Sequence, residues 1–121
     1  MNSIDYFMHS KIHLFTLDKT YDNISWNKAI LLTYGYVNNA MQIIKKTIIN
    51  IDTKKRNDSG YYYYNKLQFS VQHVSANRAI KEIITQLNGY NYMLNIILHD
   101  NTNLVIENGN IIRLEKKYYI H

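Results

Sequence analysis

Residues 53 to 64 read Thr-Lys-Lys-Arg-Asn-Asp-Ser-Gly-Tyr-Tyr-Tyr-Tyr, and the hydrophobic period on either side of this polar loop decides the fold class. On the N-terminal side Ile30, Tyr34, Val37, Met41, Ile44, Ile48 and Ile51 recur in alternating steps of four and three, the spacing of one helix face. This predicts one helix from residue 24 to about 51, capped by Asn23 or Ser25, with Lys54, Lys55 and Arg56 just past its end where cations favour the helix dipole. Such a helix would be about 40 Å long at 1.5 Å per residue, more than a domain of this size is wide. Its apolar stripe, widened by Leu31, Tyr36 and Ile43, therefore faces the chain's own sheet or is shared with a second subunit. On the C-terminal side the period falls to two. From 61 to 74, Tyr63, Leu67, Phe69, Val71 and His73 alternate with Lys66, Gln68, Ser70 and Gln72, which predicts one long, half-buried strand. That alternation turns Tyr61 and Tyr63 inward and leaves Tyr62 and Tyr64 outward beside Lys66.

Working outward, residues 1 to 10 form a lead-in, and 11 to 17 read as a first strand closed by turn residues at 18 to 23. Ser75 caps a second helix whose Ala76, Ala79, Ile80, Ile83, Ile84 and Leu87 share a face, and Asn88-Gly89 stops it. Residues 90 to 99 are apolar enough on both sides for a central strand. After a loop at 100 to 102, Asn108-Gly109 between two β-rich runs, 104 to 107 and 110 to 115, predicts a two-residue type I′ hairpin, pairing Val105 with Ile112 and Leu104 with Arg113. The order β-α-β-α-β-β-β implies a single α+β domain over residues 1–121. It would have two layers, a five-stranded, mostly antiparallel sheet with two helices on one face, and no internal repeat.

Composition narrows the chemistry. With no Cys, the 121 residues cannot carry a disulfide, a thiol nucleophile or a Cys-built zinc site. Ile, Asn, Tyr and Lys make up 57 positions, all residue types with AT-rich codons, so the chain reads as the product of an AT-rich genome such as a low-GC bacterium or its phage. No apolar run approaches the roughly 18 residues of a membrane span. Asp5 stands where a secretory signal needs cations, so the cytoplasm is the expected address, that of the host if the chain is phage-encoded.

The 14 Lys and Arg against 9 Asp and Glu give a net charge of +5, which favours anionic partners. Five of the cations, Lys45, Lys46, Lys54, Lys55 and Arg56, lie directly before the four tyrosines. Rings beside cations stack on bases while the cations neutralise phosphates. Lys54, Lys55, Arg56, Tyr62 and Tyr64, with the fork-shaped anion binders Arg78 and Arg113, are therefore the expected ligand-binding residues. His9 and His13 have metal-ligand spacing only on a helix, and the local pattern is a strand, so neither a metal nor a cofactor is expected. His73 and His99 each end a predicted strand and would form an acid–base pair only if those strands were neighbours running the same way. No nucleophile elbow, Walker loop or dinucleotide-binding glycine pattern occurs.

The expected function is thus a non-catalytic, nucleotide-binding kind of protein that captures a nucleotide or a nucleic-acid segment. A small counter-defence helper of a phage or mobile element, sequestering a host signal, fits the size and coding bias. The alternative is a protein-interaction module of the inhibitor or immunity type, and the third reading a His-based phosphodiester-cleaving enzyme. A homodimer or higher homo-oligomer suits the first two.

Overall fold

The computed structural model describes Phe7 and residues 10–116. The chain runs β1 (Ile12–Thr16), β2 (Thr20–Asp22), α1 (Trp26–Val37), α2 (Ala40–Lys46), β3 (Ile51–Asp52), β4 (Tyr61–Tyr64), β5 (Phe69–Gln72), α3 (Ala76–Leu87), β6 (Met93–Leu98), β7 (Thr102–Glu107) and β8 (Asn110–Lys116). The class is α+β, as the periods predict. A five-stranded antiparallel sheet has the order β2-β1-β6-β7-β8, and a second, three-stranded sheet the order β3-β5-β4. One core unites the layers: Leu94, Ile96, Leu98, Leu104 and Ile106 of the large sheet cluster with Ile30 and Tyr34 of α1, Ile80, Ile83 and Leu87 of α3, and Phe69 and Val71 of β5. No helix is long and apolar enough to cross a membrane among the described residues.

The helix expected from residue 24 to 51 is two helices. Asn38 takes a left-handed conformation (φ 53°, ψ 40°), which Asn tolerates better than most residues, and its N–H closes α1 on the Tyr34 carbonyl. Asn39 then caps α2 by accepting from the Gln42 N–H at 3.1 Å. The apolar period runs across this break, but the burial does not follow it. Ile30, Tyr34 and Val37 go inward; beyond the break it is Ile43 and Ile49 that are buried, while Met41 is 84% exposed and Ile44 and Ile48 are each 39% exposed.

The single strand expected over 61–74 is a hairpin. Gln68 has φ 60° and its N–H bonds to the Tyr64 carbonyl at 2.8 Å, so the chain reverses and β4 lies against β5. Tyr62 pairs with Val71 and Tyr64 with Phe69, and directly opposed residues share a sheet face. Because Phe69 and Val71 are core residues, Tyr62 and Tyr64 pack against the core and the outer positions fall to Tyr61 and Tyr63, the reverse of the expected orientation.

The other elements form close to where they are expected. Ser75 accepts from the Arg78 N–H at the start of α3, and the segment at 18–23 also contributes β2. At the last hairpin Asn108 (φ 54°) and Gly109 (φ 87°) form the two-residue turn, with Glu107 opposite Asn110 and Ile106 opposite Ile111. A bulge then shifts the register by one, so Val105 faces Arg113 rather than Ile112, and Leu104 faces Leu114 rather than Arg113. A one-residue slip exchanges faces. Here it sets Leu114 opposite the core residue Leu104 and removes the Arg113 guanidinium from that face.

Candidate functional site

The basic loop before the tyrosines is held together by its own charges. Arg56 Nη1 lies 3.3 Å from Asp52 Oδ2, and its Nε and Nη2 donate to both carboxylate oxygens of Asp58 at 3.0 and 2.8 Å. The guanidinium sits 4.0 Å from the centre of the Tyr61 ring, and Lys55 Nζ 5.1 Å from that of Tyr63. Below them, Ser70 Oγ accepts from the Arg56 N–H and donates to the Lys54 carbonyl, both at 2.7 Å. Arg56 is thus engaged on three sides, leaving Lys54 and Lys55 as the exposed cations of the loop.

The Arg56 fork holds the Asp58 carboxyl down at about 2, and the Lys54 backbone N–H with Arg56 lowers that of Asp52. A carboxyl whose folded pKa is depressed adds stability above its unfolded pKa, 3.8 for Asp58, and that contribution is lost as pH falls through the folded value. The wild-type melting temperature should therefore fall between about pH 4 and 2. Arg56→Gln should flatten that fall in a thermal melt series; parallel profiles would show that the pair contributes nothing.

Tyr62 and Tyr64 are half-buried and packed against the core rather than turned outward. The Tyr64 hydroxyl donates to the Leu31 carbonyl at 3.1 Å, and the Tyr62 ring meets His73 edge-on at 4.3 Å. Burial pushes the Tyr62 phenol up to about 12. Arg78 donates to the Ile48 carbonyl from the first turn of α3, and Arg113 lies on β8 at the far edge of the large sheet. The seven expected residues thus do not converge. Nor do the histidines pair as the third reading requires: β5 and β6 belong to different sheets, and His99 meets His13 instead, with ring centres 6.0 Å apart. His9, the other half of the metal-spaced pair, lies outside the described residues, among which no three His or carboxylate groups gather.

What does converge is the pair of helix starts. Asn27 Oδ1 accepts from the Val74 N–H at 3.1 Å and its Nδ2 donates to the Val74 carbonyl at 3.4 Å, which clamps the beginning of α1 to the beginning of α3. Between them opens a cleft of about 600 Å³. Its walls are Ile24, Trp26, Val74 and Ala76 on the apolar side, with Ser10, Lys11, Asn23, Ser25, Asn27 and Ser75 supplying polar groups. No carboxylate lines it among the described residues. Each first turn carries a cation, Lys28 or Arg78, and no acid.

The local sequences explain the matched geometry. Ser25-Trp26-Asn27-Lys28-Ala29-Ile30 and Ser75-Ala76-Asn77-Arg78-Ala79-Ile80 are one pattern written twice, Ser-x-Asn-(Lys/Arg)-Ala-Ile. In both copies a β-hairpin leads into the serine cap, and the helices span equivalent positions, Trp26–Val37 and Ala76–Leu87. The likeness is confined to the helix start: β1 is the inner strand of the first hairpin, paired with both β2 and β6, whereas β5 is the inner strand of the second, paired with both β4 and β3. This repeated hexapeptide is the signal that could have located the cleft. The equivalence is incomplete at Asn77, whose Oδ1 is buried without a hydrogen-bond partner where its counterpart grips Val74.

No protein-family model, curated protein or solved structure matches the chain.

Proposed function

We propose that the chain is a non-catalytic binding protein that captures a phosphate-bearing ligand, a nucleotide before a nucleic-acid segment, in the cleft between the starts of α1 and α3. The observation that carries this reading is the convergence of two helix N-termini, each with a cation in its first turn, on one acid-free cleft. A helix N-terminus presents free N–H groups and the positive end of the dipole, so Lys28 and Arg78 have the wrong sign for their own helices and the right sign for an anion between them. Two such ends suit two phosphoryl groups, Lys11 adds a further positive charge, and the apolar wall of Ile24, Val74 and Ala76 suits a base. The cavity has the volume of a small-molecule site. Of the residues expected from sequence, only Arg78 stays in this reading. Capture of a host signal nucleotide in the cytoplasm by a phage or mobile-element helper is the biological form the proposal takes.

Lys28→Glu tests it with opposite signs in one variant. Glu in the first turn favours the dipole, so the ligand-free protein should gain about 0.3–1 kcal/mol. The thermal stabilisation expected of wild type with nucleoside mono- and diphosphates, cyclic dinucleotides and short oligonucleotides should shrink. The absorbance ratio at 260 and 280 nm of the protein as purified gives an independent sign of a carried nucleotide. If no anion stabilises wild type at any salt concentration, the proposal fails.

A further inference from the structure

The break at Asn38-Asn39 leaves a second surface, on the short helix α2. Met41 and Ile44 stand on its outer side, opposite the buried Ile43, and Ile48 follows just beyond its end. Their exposure is not looseness. Asn39 caps the helix, while Glu82 Oε2 accepts from Thr47 Oγ1 at 2.7 Å and Glu82 Oε1 from the Ile48 N–H at 3.0 Å, so the backbone beneath the apolar side chains is fixed from both ends. Lys45 lies within this face, and Arg78 donates to the Ile48 carbonyl at its end. Along one side runs a groove of about 550 Å³ lined by Met41, Lys45 and Lys46. From residue 23 to 51 the chain contains no Asp or Glu.

We propose that this face docks a protein segment whose apolar side chains cover Met41, Ile44 and Ile48 and whose flanking carboxylates meet Lys45 and Lys46. Charge complementarity selects the occupant. A second copy of the chain would set Lys45 against Lys45 across a two-fold axis, with no exposed acid among Met41, Ile44, Lys45 and Ile48 to compensate. An anionic bilayer takes up an amphipathic helix through a broad apolar face with aromatic anchors, whereas α2 has seven residues and no aromatic side chain. An acidic-flanked apolar segment fits both the rigid apolar centre and the cationic rim, and the pre-formed backbone lowers the ordering cost of binding. The surface is separate from the cleft and stands whether or not that site holds an anion.

The probe is a displayed library of random peptides, selected on the full chain and counter-selected on Met41→Asp/Ile44→Asp. Enriched peptides should combine apolar residues with Asp or Glu. A synthetic representative should bind wild type at least about tenfold more tightly than either the double variant or Lys45→Glu, a difference of about 1.4 kcal/mol. Melting curves establish that the double variant is folded, and the exposed Lys45→Glu serves as the readout if it is not. Enrichment of neutral or basic peptides, equal binding to the variants, or no enrichment overturns the proposal. So does co-sedimentation with phosphatidylserine vesicles, or self-association that the double variant abolishes.

Discussion

Glu82→Ala is expected to remove about 3–5 kcal/mol of folding stability, from orphaned donors at about 1–3 kcal/mol each, a large fraction of the roughly 5–15 kcal/mol available to a domain. The Glu82 side chain is fully buried and is met by donors on every side. Its Oε2 accepts from the Tyr34 hydroxyl at 2.5 Å, Thr47 Oγ1 at 2.7 Å and Gln86 Nε2 at 3.2 Å, while Oε1 accepts from the Ile48 N–H. Those partners come from α1, the chain after α2, and α3 itself, so one side chain ties three segments together. Burial first, and then the neighbouring carboxylate, hold the Tyr34 phenol well above its ordinary range. Truncation leaves the buried Tyr34 hydroxyl and the part-buried Ile48 N–H without an acceptor, and the cost of a lost hydrogen bond lies mainly in such orphaned partners. Urea unfolding measures the loss. Glu82→Ala/Tyr34→Phe should lose less than the sum of its single variants, because it removes one of the orphans along with the acceptor. A Glu82→Ala loss below about 1 kcal/mol, the net worth of one ordinary hydrogen bond, would refute the role as a tie.

The next largest effect is expected at Gly109. Its φ of +87° already disfavours a side chain, and a Cβ there would stand 2.5 Å from the Asn88 Cα, a backbone atom with no flexible end to yield. Gly109→Ala should cost about 2–4 kcal/mol, combining left-handed strain with displacement of the hairpin from the end of α3. Gly89→Ala separates the two contributions: φ there is +89°, yet nothing lies within 4 Å of an added Cβ, so only the strain of about 1–2 kcal/mol should appear. Equal urea midpoints for the two variants would show that the contact with Asn88 is slack.

The elements legible in sequence are those in which period and punctuation agree. Helix α3 has a Ser75 cap, a clean apolar face and an Asn88-Gly89 stop, and the β7–β8 turn has Asn-Gly with β-branched flanks. The long helix fails because its punctuation opposes its period. Two asparagines, one able to end a helix and the next to begin one, interrupt an apolar spacing that continues through them by composition alone, in a chain with 18 Ile. The tyrosine run fails for a different reason: alternation fixes which residues share a face but not which face is inside, and only the reversal at Gln68 settles that. The candidate site was barely legible. Its walls come from stretches fifty positions apart, and the basic cluster before the tyrosines carries Asp52 and Asp58 as its own counterions.

The strand order of the large sheet also dictates a sequence of events. In β1, Ile12 pairs with Leu98, while the small hairpin, the last hairpin and the three helices pair or cap within short spans of chain. Long loops cost entropy before their contacts repay it, so the local units can form early and the β1–β6 seam comes last. During synthesis β1 and β2 must wait with an open edge until β6 has been made, while β4 has its pairing strand β5 only a few residues behind it.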